Sequence, residues 1–187
     1  MKVEGNVFQC ANNWFSILPL KSYQNRPINF LEIGTHYGAN LISVAETYAK
    51  HPESKLYCID PWEDYDEYSE YKGQQNTIYQ TFLKNINNFQ DKHKIIINRG
   101  YSHNIVSTLP DNYFDIIYID GNHESEYVLE DAVLCFRKLK PDGILIFDDY
   151  VPNLTKEGID GFFSGYHKRF DKQIHLKNTQ LFARKIK

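Results

Sequence analysis

The chain is 187 residues long, with 21 Lys+Arg against 24 Asp+Glu and a formal net charge of -3. Such a length is enough for one domain with a buried core, and a near-balanced charge offers no basic field to a nucleic acid. Cys10, Cys58 and Cys135 are odd in number and widely spaced, so they read as reduced thiols rather than a disulfide frame or a zinc site.

No signal peptide opens the chain and no apolar run approaches a membrane span, so a soluble, cytoplasmic protein without a membrane partner is expected. Residues 1–26 carry Phe8, Trp14, Phe15 and Leu18, a docking helix or a flap over a site. Phe30 to Ile33 is the first predicted strand. Leu41, Val44, Ala45 and Tyr48 then share one face of a helix that begins near Asn40. Lys55 to Asp60 is a second strand ending in an acid, and Ile78, Phe82 and Ile86 recur at helical spacing. Lys94 to Asn98 is a third strand, whose continuous Ile95 to Ile97 predicts burial on both faces. Phe114 to Asp120 is a fourth strand ending in an acid. Val128 to Leu139 is a helix, closed by a turn at Lys140 to Gly143. Ile144 to Phe147 is a fifth strand running into Asp148 and Asp149, and Gly158 to Phe170 reads as a helix. Ile174 to Leu176 and Leu181 to Arg184 look like a closing hairpin, and Arg184, Lys185 and Lys187 a solvated terminus.

Alternating strands and helices argue for a parallel sheet covered on both faces. Ligands of such sheets sit beyond the carboxyl ends of the strands. Glu32, Asp60, Asp120, Asp148 and Asp149 all fall there, which packing alone does not explain. After the first strand, Gly34 and Gly38 stand four apart before a helix, where free N–H groups and the positive dipole end favour an anion. This Gly-x-x-x-Gly spacing differs from the Gly-x-Gly-x-x-Gly of dinucleotide binders, which disfavours a nicotinamide-dependent dehydrogenase.

From about residue 27 to the end, the chain resembles the class I S-adenosylmethionine (SAM)-dependent methyltransferases. The likeness is carried by Leu31-Glu32-Ile33-Gly34-Thr35-His36-Tyr37-Gly38 and by Cys58-Ile59-Asp60-Pro61-Trp62. Three later motifs narrow it: Ile119-Asp120-Gly121-Asn122-His123, Leu139-Lys140-Pro141-Asp142-Gly143 and Ile146-Phe147-Asp148-Asp149-Tyr150. Together they are similar to the metal-dependent small-molecule O-methyltransferases of the macrolide-sugar and catechol types. The resemblance implies a single α/β domain over residues 1–187, with a Rossmann-like, seven-stranded, mostly parallel sheet and an antiparallel last strand.

It also implies roles. SAM would be gripped by Glu32, Gly34, Tyr37, Gly38 and Asn40, with Glu32 receiving its ammonium group. Asp60 would accept both ribose hydroxyls. Trp62 would lie against the adenine or simply pack in its loop, and Tyr101 and Ser102 follow the strand where the family contacts adenine. Asp120, Asp148 and Asp149 would converge on one divalent cation, Mg²⁺, which relieves the repulsion of crowded carboxylates. His123 stands where catechol-type enzymes carry a lysine; it would serve as the base, ligate the metal or order its loop. His36 and His103 read as solvated loop histidines. The run from Trp62 to Tyr71 interleaves tyrosines with acids, suited to sugar faces and hydroxyls, or merely an exposed acidic loop. The implied activity is methylation of a hydroxyl on a sugar or glycan, with a catechol or phenol as runner-up. A SAM-binding subunit without catalysis is the rival of another class. The oligomeric state is open, with a homodimer as one option.

Overall fold

Period-two burial builds the central sheet. Along β1 (Asn29–Ile33), Phe30 faces one apolar layer while Leu31 and Ile33 face the other. In β4 (Phe114–Ile119), Ile116 and Tyr118 face the first layer, and Phe114, Ile117 and Ile119 the second. A sheet apolar on both faces must be covered on both, and it is. One side takes α1 (Ala39–Thr47) and α2 (Gln75–Asn88); the other takes the short α3 (Ser102–Ile105), α4 (Ser125–Lys138) and α5 (Lys156–Tyr166). The computed structural model describes residues 2–5, 8–65, 69–171 and 175–186.

The remaining strands are β2 (Lys55–Asp60), β3 (Ile95–Arg99), β5 (Leu139–Phe147), β6 (His175–Lys177) and β7 (Gln180–Arg184). Their order across the sheet is β3-β2-β1-β4-β5-β7-β6. The first five in that order are parallel neighbours, and β7 runs antiparallel to both β5 and β6. Six strands span five residues or more; β6, at three, is a short edge. Between β1 and β4 the chain reverses its march across the sheet, which opens a crevice at the carboxyl ends of these two strands.

Several expectations need correction. Ile95, Ile96 and Ile97 are only half-buried, because β3 pairs with β2 alone and forms an edge of the sheet. Lys140 to Gly143 does not separate a helix from a strand. It is the irregular first half of β5, with Asp142 at φ +63° and a register shift opposite Phe114 to Ile116. Lys185 is buried, not solvated, and its Nζ donates to the carbonyls of Phe136 and Leu139 at 2.9 and 2.6 Å. Ile174 and Lys187 lie outside the described residues. At the N-terminal end, the 3-10 turn Cys10–Ser16 packs on α1, and Trp14 is fully buried against Tyr48 and Tyr118. No described helix is long and apolar enough to cross a membrane.

Candidate active site

A cavity of about 980 Å³ opens at the reversal point, roomy enough for a nucleoside cofactor beside an acceptor. Glu32, Asp60, Asp120, Asp148 and Asp149 all line it, together with Phe8, Cys10 and Asn13 from the N-terminal segment. Among the described residues it is lined by no lysine or arginine.

The loop after β1 is shaped by Gly34, at φ +81°. A Cβ there would sit 1.8 Å from the Asp120 carbonyl oxygen, so glycine is required by the approach of another strand end as much as by any ligand. Gly38, at φ +80°, precedes α1 and packs on Phe82; it does not line the cavity. Glu32 is buried, with Oε1 accepting from Asn40 Nδ2 at 3.0 Å and Oε2 lacking any hydrogen-bond partner. Burial pushes this carboxyl up to about 8, against the Asn40 hydrogen bond that favours its charged form.

Asp60 turns inward on its own loops. Oδ2 accepts from the backbone N–H of Thr35 and His36 at 3.0 and 2.8 Å, and Oδ1 from that of Trp62 at 2.7 Å. Burial raises its pKa while these three donors hold it down. A carboxylate has about four acceptor positions, so one remains for a ribose hydroxyl without displacing a backbone bond. Trp62 is 2% exposed and packs on Tyr79 and Phe82, with ring centroids 4.8 and 4.7 Å away. Its indole N–H is held by the His36 carbonyl at 3.0 Å, and it does not line the cavity. The packing alternative for Trp62 is therefore the one realised.

At the ends of β4 and β5, Asp120, His123 and Asp149 gather so that one ligand atom from each lies within 4.8 Å of the others. His123 Nε2 is 3.5 Å from Asp120 Oδ1 and 3.7 Å from Asp149 Oδ2. Desolvation pushes Asp120 up to about 7; His123 opposes this, while Asp148 and Asp149 add repulsion. Asp149 adopts φ +47°, held by Thr155 Oγ1 donating to its carbonyl. Asp148 stands aside from the trio, with Oδ1 accepting from Gln180 Nε2 at 2.8 Å. The carboxylates of Asp120 and Asp149, with that of Asp148 close enough to repel Asp120, are an oxygen donor set that fits a divalent cation.

The comparisons with known proteins decide the family. A model described as a methyltransferase domain matches residues 31–150, which contain every site residue just described except those of the N-terminal segment, Thr155 and Gln180. The chain belongs to that family. The methyltransferase shares its fold with the O-methyltransferase TomG of Streptomyces achromogenes, solved with SAM, at TM-score 0.64 and 15% identity over 96% of this chain and 87% of that one. The MycE methyltransferase of the mycinamycin pathway, solved with Mg, S-adenosylhomocysteine (SAH) and mycinamycin VI, gives 0.62 and 16% over 94% and 49%. A SAM-dependent methyltransferase of Methanococcus maripaludis, so described on a provisional basis, gives 0.61 and 17% over 95% and 83%. Among curated sequences, an uncharacterized protein of Acanthamoeba polyphaga mimivirus is 29% identical over 135 residues, covering 69% of this chain and 54% of its own length. An uncharacterized protein of Sinorhizobium fredii is 23% identical over 125 residues, 66% of this chain and 13% of that protein. The chain thus spans about half of the first relative and a small part of the second.

Within the methyltransferase, Tyr37, Asn40, Tyr101 and Ser102 line the cavity. Tyr101 is 45% exposed, its hydroxyl donates to Glu63 at 2.9 Å and its ring stacks on His103. His36 is not a solvated loop histidine. Its ring packs between Tyr37 and Tyr71, Nε2 is buried without a hydrogen-bond partner, and burial lowers its pKa. Of the acidic aromatic run, residues 66–68 lie outside the described part, while Glu63, Asp64, Tyr65 and Tyr71 line the cavity. Sequence reasoning missed Asp131, which lines the cavity with Oδ1 unpartnered and is pushed by burial up to about 7. Its signal was available: an acid on the apolar stripe of α4 formed by Val128, Ala132 and Cys135.

Proposed function

We propose that this methyltransferase moves the SAM methyl group to a hydroxyl of a neutral sugar or glycan, with a divalent cation such as Mg²⁺ assisting. The observation that carries this reading is the Asp120–His123–Asp149 cluster in the same cavity as the loop after β1. The Mg, SAH and mycinamycin VI bound in MycE support it, as does the O-methyltransferase activity named for TomG.

Magnitude explains why a base alone would not serve. An alcohol with a pKa of roughly 13 lies about 6 units above a histidine, so full proton transfer costs about 8 to 9 kcal/mol. When bound, a divalent cation supplies the missing acidity by stabilising the developing alkoxide. Asp120, Asp149 and the second oxygen of Asp148 would hold it. His123 Nε2 is then the group that takes the acceptor's proton as the new O–CH₃ bond forms and the sulfonium S–CH₃ bond breaks. Glu32 in its ionised form pairs with the cofactor's ammonium, and Asp60 contributes its one remaining acceptor position to the ribose. SAM is already activated, so the remaining task of the site is alignment and exclusion of water.

The lining favours the acceptor class. Carboxylates without a balancing lysine or arginine repel phosphates and sulfates, and the aromatic rim of Phe8, Tyr65, Tyr71, Tyr101 and Tyr127 suits sugar faces. The test is methyl transfer from labelled SAM to a panel of sugars, macrolide glycosides, catechols and phenols, with Mg²⁺ and with excess chelator. Sugar methylation that stops with chelator is expected. Undiminished transfer in chelator removes the cation, transfer to phenols alone moves the acceptor to the catechol class, and SAM binding without turnover on any acceptor favours a non-catalytic subunit.

A further inference from the structure

One buried side chain joins the N-terminal turn to the acids of the site. The Trp14 indole N–H lies 2.9 Å from Gln180 Oε1, across 166 residues of sequence, and both side chains are buried. An amide can be turned either way, but an indole N–H only donates. Trp14 therefore fixes the amide, with Oε1 toward the indole and Nε2 toward the strand ends. Nε2 donates to Asp148 Oδ1 at 2.8 Å and to the Tyr118 hydroxyl oxygen at 3.2 Å. Having accepted there, the Tyr118 hydroxyl turns its own hydrogen either to Asp120 Oδ2, a long 3.4 Å away, or to the Cys10 sulfur of the N-terminal turn. From Trp14 through Gln180 to Asp148, every hydrogen points from the N-terminal turn to a carboxylate. Asp148 is thus addressed as an acceptor through Oδ1, while Asp120 Oδ1 faces His123.

The same turn makes a second tie of the same kind. Ala11 N–H donates to Asn40 Oδ1 at 2.9 Å, which directs Asn40 Nδ2 to Glu32 Oε1 at 3.0 Å. Residues 11 and 14 thereby orient one amide at the cofactor acid and one amide at the acids of β4 and β5. Partners that hold metal-binding carboxylates from behind set ligand orientation, and their loss costs about 10- to 100-fold in metal affinity.

We propose that Gln180, aimed by Trp14, is a positioning residue for the divalent-cation site, so that docking of the N-terminal turn sets how tightly the cation is held. The inference rests on the cation-assisted reading given under the proposed function. Gln180 touches neither acceptor nor cofactor in this role; it acts through Asp148.

The test uses Mn²⁺ as the probe, titrated into the full chain and followed by its electron paramagnetic resonance signal, with SAH affinity measured by calorimetry without metal. Gln180→Met keeps the volume and removes the hydrogen bonds; Trp14→Phe keeps the packing and removes the orienting donor. Gln180→Met should weaken Mn²⁺ by about 10- to 100-fold and Trp14→Phe by about 3- to 10-fold, with SAH affinity within about twofold of the parent. In an Asp148→Ala background, the Gln180→Met loss should shrink, since the two act through one contact. Parent-like Mn²⁺ affinity in a folded Gln180→Met variant overturns the inference. So does an equal loss of SAH and Mn²⁺ affinity, which marks a general packing role. Failure of the parent to bind Mn²⁺ while still binding SAH removes the cation reading and this inference with it.

Discussion

The carboxylate ending β2 and those ending β4 and β5 are treated in opposite ways by the same sheet. Asp60 is enclosed by three backbone donors at 2.7 to 3.0 Å, and it organises the loops after β1 and β2. Asp120 and Asp149 face His123 across 3.5 and 3.7 Å, beyond good hydrogen-bond length. Desolvation, with repulsion from Asp148 and Asp149, pushes the Asp120 carboxyl up to about 7. One acid is largely satisfied by its own chain, whereas the others are crowded in a way that a cation would relieve. A strand-end acid is thus no sign of ligand contact until its lone pairs have been followed.

The sharpest way to break this contrast is Asp149→Ala. Removing a carboxylate of the proposed cation site should lower methyl transfer by about 10⁴-fold and abolish its dependence on added Mg²⁺, read with labelled SAM. Next comes His123→Ala, expected to cost about 10²- to 10³-fold in kcat while SAH affinity stays within about twofold. A parent-like rate would exclude the imidazole as base. Asp60→Ala should behave differently from both, because it removes an internal acceptor. It should lower folding stability by about 3 kcal/mol and weaken SAH about 10-fold. Loss of cofactor affinity with unchanged denaturant midpoint would mean that the backbone bonds count for little.

The smallest effect concerns pH. Glu32 has a pKa of about 8 in the folded protein against an ordinary 4.5, so the folded state binds the proton more tightly than the unfolded chain. The associated stability is fully present below about pH 4.5 and is lost as pH rises through about 8. The melting temperature of the free protein should therefore fall between about pH 5 and about pH 9, and Glu32→Gln should flatten that slope by roughly 3 to 8 °C. Asp131, also pushed up to about 7, contributes in the same direction. Bound SAH should counter the trend, because its ammonium favours the ionised carboxylate. A steeper loss with SAH present would place the ammonium elsewhere.

How much of this was legible in the sequence depends on how local the causes are. The acids at the ends of β1, β2, β4 and β5 were readable because strand, acid and turn are contiguous. The buried Lys185 was not, since its partners Phe136 and Leu139 lie far off in sequence, at the end of α4 and the start of β5. Ile95 to Ile97 were misjudged because an apolar run cannot show that its strand is last in the sheet. Trp62 offered the same aromatic surface to an adenine and to Phe82, and only the tertiary packing chose between them. Gln180 carried no signal at all: an amide opening a short strand means nothing until Trp14 arrives beside it.

The 1.8 Å clearance at Gly34 has a practical consequence. Any side chain there would have to push the tips of β1 and β4 apart, and with them the two halves of the pocket. Engineers wanting to admit bulkier sulfonium donors should leave that position alone and trim the exposed Tyr101 wall instead, where the lost atoms cost the fold little.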